Sequence, residues 1–305
     1  MVSAEGTSRL EFWQVYFLTT PHRWLTLILV VTDSDRRQGR NFLFLGLAVL
    51  AAIVVLGTYW WTDAFLCLAM LDYVWNSWHF ASQHGGVLRI YSRKHGGGRP
   101  WLETICVRIF VMYVCLRLAG WTTGWAEAIP HMVVAIRWMD GLVLLLPMIL
   151  LLTEMVSRQT GRGLAKTVYM ISVMSLYVSL LLSLRSGYHR LVITLTVASA
   201  AFHAIEYLAV VTYYAGRRRE FGSRALFQMM AKRWLELLAI FVIGFGAFAS
   251  YVDHFHLQIW LGLNFWAAFL HYAYDGLIWK LRQPVTANTL DVELPASSTA
   301  TREIS

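Results

Sequence analysis

Long apolar runs separated by short polar connections dominate the chain. Mostly apolar stretches fall near 41–61, 63–84, 101–119, 132–154, 165–184, 190–214, 233–252 and 258–281. A helix rising about 1.5 Å per residue needs roughly 20 residues to cross a hydrocarbon core about 30 Å thick, so each run predicts one crossing. The pattern predicts an all-α fold: a polytopic transmembrane helix bundle of about eight spans, forming a single domain over residues 1–282. Segment 11–32, EFWQVYFLTTPHRWLTLILVVT, is apolar but interrupted by Pro21-His22-Arg23. Proline removes a backbone donor, so this segment predicts an N-terminal interfacial or re-entrant helix in preference to a ninth crossing. Gly244 and Gly246 offer a kink in the run at 233–252. Residues 283–305 are polar and aperiodic, and predict a disordered cytoplasmic tail.

Composition agrees with the pattern. The chain has 305 residues, 57% hydrophobic and 14% charged, whereas soluble domains are about 45–50% apolar and about 25% charged. The net charge of +8 does not imply nucleic acid, because the basic residues collect in alternate connections. Arg36, Arg37 and Arg40 precede the first run. Arg89, Arg93, Lys94 and Arg99 follow the second, and Arg217, Arg218, Arg219 and Arg224 follow the sixth. The connections near 120–130 and 252–258 hold no Lys or Arg. By the positive-inside rule, eight spans then place both termini in the cytoplasm. The sequence MVSAEGTSRL lacks the regions of a cleavable signal peptide. The three cysteines all fall in expected helices, which argues against a disulfide framework. Tryptophans near the run ends, such as Trp60, Trp61 and Trp279, fit an aromatic belt.

Polar residues inside the runs carry the candidate chemistry. At about 100° per residue, positions i, i+7 and i+11 share a helix face. Asp72, His79 and Gln83 form such a stripe with Asn76 beside it, and Asn264, His271 and Asp275 repeat the spacing. Ser199, His203 and Glu206 share a face in the sixth run. Charged groups deep within a membrane-spanning run cost about 2.5–3.5 kcal/mol each on insertion scales and mark function by default. Imidazoles with carboxylates suit a transition metal, and helical bundles build di-iron sites from inward Glu and His. The metal-ligand candidates are His79, His203, Glu206, His271 and Asp275, with iron, mononuclear or di-iron, favoured over another divalent transition metal. Asp72, Gln83 and Arg108 are candidates for catalytic or orienting roles. His22 joins the cluster if 11–32 is re-entrant. His84 is expected at the interface, either solvated or functional. Asp253-His254-Phe255-His256 is a weaker outer site, and Arg137 with Asp140 reads as a structural ion pair. A proton or ion relay explains the same cluster, and two histidines could serve as axial haem ligands.

Three stretches, His79-Phe-Ala-Ser-Gln83-His-Gly85-Gly86, His203-Ala-Ile-Glu206-Tyr207 and His271-Tyr-Ala-Tyr-Asp275-Gly-Leu-Ile-Trp279-Lys280, together resemble a group of bacterial multi-spanning membrane proteins. Those carry H-x-x-x-Q-x-x-G, H-x-x-Q-Y and H-[HY]-x-x-D-x-x-I-W-[KR] in that order. The resemblance implies that the three segments act together in a bacterial inner membrane, and it supplies no reaction. Glu206 stands where the group carries Gln. The function expected from the residues is a membrane metalloenzyme, a non-haem iron or di-iron oxidoreductase of hydroxylase or desaturase type. Its partners would be a lipid or apolar small-molecule substrate reached from the cytoplasmic leaflet, and a redox partner. The chain lacks the clustered HxxxH and HxxHH boxes of fatty-acid desaturases. The alternatives are a proton-coupled transporter or ion relay and a haem-binding electron-transfer subunit.

Overall fold

The computed structural model describes residues 13–37, 39–94, 98–124, 130–157, 163–221 and 225–292. Every regular element among the described residues is helical. A π-helical turn, Val15–Thr19, leads into α1 (Thr20–Thr32), followed by α2 (Ser34–Arg37), α3 (Asn41–Thr62), α4 (Leu66–Lys94), α5 (Pro100–Thr123), α6 (Pro130–Val143) and α7 (Leu145–Ser157). Then come α8 (Leu164–Ser186), α9 (His189–Phe221), α10 (Ala225–Lys232), α11 (Trp234–Phe255), α12 (Leu257–Ile278) and α13 (Pro284–Leu290).

Five stretches are long and apolar enough to cross a membrane: Asn41–Thr62, His131–Val156, Leu164–Ser186, His189–Arg218 and Trp234–Phe255. In α3 only 17% of the apolar window is buried, and Phe42, Ile53 and Leu56 are largely exposed. An apolar helix that keeps its side chains outward needs an apolar surrounding, as lipid provides. The expected crossings at 63–84, 101–119 and 258–281 are helical over most of their length, in α4, α5 and α12, but side chains such as Asp72, Asn76 and His79 dilute their apolar character. The span His131–Val156 is broken at Leu144 between α6 and α7. Pro147 explains the break: it has no N–H to give the Val143 carbonyl, and its ring crowds that group.

The chain divides into two compact units, Met1–Tyr73 with Ala200–Ser305, and Val74–Ser199. In the second unit α5 packs on α7 and α8, and α6 on both of these. Buried charges tie these helices together. Lys166 Nζ lies 2.8 Å from Glu103 and 2.7 Å from Glu154, and Arg89 reaches Glu103 at 2.7 Å. Asp140 meets Arg117 at 3.5 Å and accepts a hydrogen bond from Tyr113 at 2.6 Å. Its partners therefore come from α5, in place of the expected pairing with Arg137, which points outward on α6.

In the first unit α12 is the central helix, packed against α1, α3 and α11. The segment around Pro21 does not break. The π-helical turn at Val15–Thr19 widens the helix just before the proline, where a tight turn would drive the ring into the carbonyl four residues back. From there α1 buries His22, Leu25, Thr26, Leu29 and Val30, the i, i+3, i+4 face of an amphipathic helix.

The two ends of this segment meet opposite ends of α11. Tyr16 donates a hydrogen bond to Asp253 at the C-terminal end of α11. Asp33, after α1, accepts from Tyr214, which packs on Phe227, and Phe227 packs on Trp234 at the start of α11. The segment therefore runs the length of α11. Gly246 makes that possible. A Cβ there would stand 2.6 Å from a Phe17 ring carbon and 2.7 Å from the Tyr16 carbonyl oxygen, and α11 continues through it without interruption. The glycine serves a close approach and not the expected kink.

The basic connection at 36–40 is partly structural. Arg36 is buried and donates to the Ile278 carbonyl at 2.7 Å and to Thr286 at 2.9 Å. It thus satisfies a carbonyl left open at the C-terminus of α12. Its guanidinium also lies 3.9 Å from the centroid of the Tyr214 ring. Residues 284–290, expected to be disordered, form α13 and bury Thr286, Ala287 and Leu290. Residues 293–305 lie outside the described residues.

Candidate metal centre

Three helices of the first unit each carry a histidine followed one turn later by a hydrogen-bonding side chain: His22 and Thr26 on α1, His203 and Tyr207 on α9, His271 and Asp275 on α12. Positions i and i+4 share a helix face, one turn apart along the axis. All three pairs point inward: His203, His271 and Thr26 have no exposed surface, His22 has 2%, and Tyr207 and Asp275 are buried as well.

The imidazoles form one layer. The rings of His22 and His203 meet edge to face at 5.2 Å between centroids, and those of His22 and His271 at 4.9 Å. One ring nitrogen from each of the three lies within 4.8 Å of the others. An ion with bonds of about 2.1 Å holds its ligand nitrogens about 3.4 Å apart in tetrahedral geometry.

Thr26, Tyr207 and Asp275 form the adjoining layer. Thr26 Oγ1 lies 2.5 Å from Tyr207 Oη, 3.1 Å from Asp275 Oδ1 and 2.7 Å from His271 Nδ1. Tyr207 also donates to Asp275 Oδ1 at 3.1 Å. With the Thr26 hydroxyl proton on Asp275, the tautomer of His271 that carries hydrogen on Nδ1 donates to the Thr26 oxygen. This tautomer leaves the lone pair of His271 on Nε2. The second Asp275 oxygen sits 3.7 Å from His271 Nδ1. Asp275 is placed to orient His271, and it also brings a carboxylate oxygen within 4.8 Å of a His271 ring nitrogen, as its expected role as a ligand requires.

Glu206, one turn from His203 on α9, is buried and brings a carboxylate oxygen within 4.8 Å of a His203 ring nitrogen. Asp72 accepts a hydrogen bond from Tyr272 at 2.9 Å; Tyr272 neighbours His271 in sequence but turns elsewhere.

His79, Gln83, His84 and Arg108 belong to the second unit. His79 is buried on α4, and Gln83 is half-buried one turn further on. His84, expected at an interface, is wholly buried, with Nε2 3.2 Å from Tyr177 Oη and Nδ1 3.4 Å from Tyr169 Oη. Arg108 stacks its guanidinium 5.2 Å from the Trp78 ring centroid. His254 and His256 are exposed, and among the described residues they belong to no group of metal-ligating side chains.

His22 is the residue whose place depended most on the path of 11–32, and Thr26 and Tyr207 were given no role from sequence. The common signal was present all along: the same four-residue step from a histidine to a hydrogen-bonding side chain in three separate helices. No protein-family model, curated protein or solved structure matches the chain.

Proposed function

We propose that this is an integral membrane metalloenzyme, a non-haem iron or di-iron oxidoreductase of hydroxylase or desaturase type acting on a lipid or other apolar substrate. The observation that carries the reading is the buried layer of three imidazoles from three helices. His22, His203 and His271 hold the ion, and Glu206 stands beside His203 as an oxygen donor. Thr26 and Asp275 fix the His271 ring so that Nε2 faces the site, as outer hydrogen bonds do for metal-bound histidines. Bound iron would supply activation of dioxygen and one-electron redox chemistry.

Energetics favour a functional reading over a purely structural one. Interhelical hydrogen bonds within a membrane return about 0.6 kcal/mol each on average. A charged side chain at depth costs about 2.5–3.5 kcal/mol. The two hydrogen bonds that Asp275 accepts from Thr26 and Tyr207 do not offset that cost and leave the burial of three imidazoles unexplained. A haem would need its macrocycle between two axial imidazoles, and rings in edge-to-face contact leave no such slot. The layer of Thr26, Tyr207 and Asp275 favours one second reading, a proton relay.

The same reading extends to topology. The N-terminal helix crosses alongside α11, and the end of the first unit that carries Arg36, Arg37 and Arg40 faces the cytoplasm. Elemental analysis of detergent-purified protein tests the function. One or two irons per chain without a Soret band supports it. Metal-free protein that conducts protons in proteoliposomes selects the relay, and a Soret band selects haem.

A further inference from the structure

Helices α3 and α12 enclose an apolar groove of about 390 Å3, walled by Val30, Leu45, Ala48, Trp266 and Leu270 and closed at one end by Arg37 and Asn41. Trp266 also lines a second apolar groove of about 510 Å3 between the same helices, which carries the track on to Tyr59. From Asn41 to Tyr59, α3 rises about 27 Å. One acyl chain spans about half of a 30 Å hydrocarbon core, so the track has room for it.

The charged end is chemically incomplete. Among the described residues, no hydrogen-bond partner reaches the buried Arg37 Nε or the buried Arg40 Nη2. The Arg40 guanidinium lies 5.9 Å from the centroid of Phe44, itself a wall of the groove. A buried guanidinium nitrogen without an acceptor is costly, and its planar fork matches phosphate oxygens. A neutral apolar occupant would fill the groove and leave both arginines unsatisfied. A free phosphate would pair with them and leave the groove bare.

We propose that this groove binds a phospholipid with an anionic head group, its phosphate held by Arg37 and Arg40 and one acyl chain laid along α3 and α12. The groove backs onto the histidine cluster, since Leu27 follows Thr26 and Leu270 precedes His271. The proposal nevertheless rests on the two arginines and the groove, and an ion-free cluster would leave it intact.

Native mass spectrometry of the full chain in detergent, with phosphatidylglycerol and phosphatidylcholine of equal chain length, tests it. Wild type should retain phosphatidylglycerol preferentially. The preference should fall about five-fold for each arginine removed in Arg37→Ala and Arg40→Ala, while Arg282→Ala, at an exposed position, should keep it. Equal retention of the two lipids by wild type overturns the proposal, as does an undiminished preference in the double variant. Should the double variant fail to fold, fluorescence quenching by lipids with brominated chains decides. Head-group-selective quenching should be present in wild type and lost in Trp266→Phe, and its survival in that variant overturns the proposal.

Discussion

His22 and His271 meet edge to face, with ring centroids 4.9 Å apart and ring planes at 90°. One lies near the start of the chain and the other near its end. Their contact makes the N-terminal helix a wall of the candidate centre, since Thr26, one turn on, carries the hydrogen bonds that orient His271.

Thr26→Val keeps the shape of the side chain and removes its hydroxyl. The variant should bind metal about 10–100-fold more weakly, the usual penalty for losing an outer hydrogen bond to a metal-bound histidine. Thr26→Ser, which restores the oxygen, should recover most of the affinity. Competition with a chromophoric chelator measures both. Equal affinities for Val and wild type would remove Thr26 from the site.

The N-terminal helix and α13 dock at opposite ends of the first unit, through Tyr16 with Asp253 and through Arg36 with Thr286. Topology reporters fused to the two termini should therefore report opposite faces of the membrane. Reporters on the same face would select the re-entrant path for 11–32 with both termini in the cytoplasm.

Two glycines in α11 should respond differently to the same change. Gly246→Ala places a Cβ against Phe17 and the Tyr16 backbone. It should cost about 1–3 kcal/mol, as overpacking does. Gly244 has nothing within 4 Å of its added Cβ, so Gly244→Ala should hold or raise the thermal midpoint through helix propensity alone. Thermal unfolding in detergent separates them.

Buried and exposed ion pairs should separate as well. Lys166→Met leaves Glu103 and Glu154 without their shared cation and should cost about 3–5 kcal/mol. Arg233→Ala breaks a pair whose side chains are 74% and 62% exposed, and should shift stability by less than about 0.5 kcal/mol. Denaturant titration checks the pair.

Much of this arrangement was legible in the apolar pattern. Helices such as α3, α8 and α11 are long runs whose length and composition leave little choice. His203, His271 and Asp275 stood out because each shares a helix face with other polar residues inside an apolar run. The N-terminal helix was harder. A proline in an apolar run reads as a break, and the π-helical turn that absorbs it depends on local backbone geometry that residue types do not show. Arg36 was counted with the solvent-facing cations, since nothing local reveals that its partner is a helix terminus far along the chain. The first part of the tail looked disordered because Thr286, Ala287 and Leu290 form too short an apolar face to register without the surface that covers it.

The account's central claim is that His22, His203 and His271 share one ion, and metal content per chain in single-alanine variants tests it most directly. Wild type and His254→Ala, whose histidine lies exposed near the end of α11, should retain the same metal after dialysis. His22→Ala, His203→Ala and His271→Ala, each confirmed as folded by circular dichroism, should each lose most of it. Full metal occupancy in folded His22→Ala, or wild-type protein that holds no metal when grown and purified with iron present, would contradict the claim.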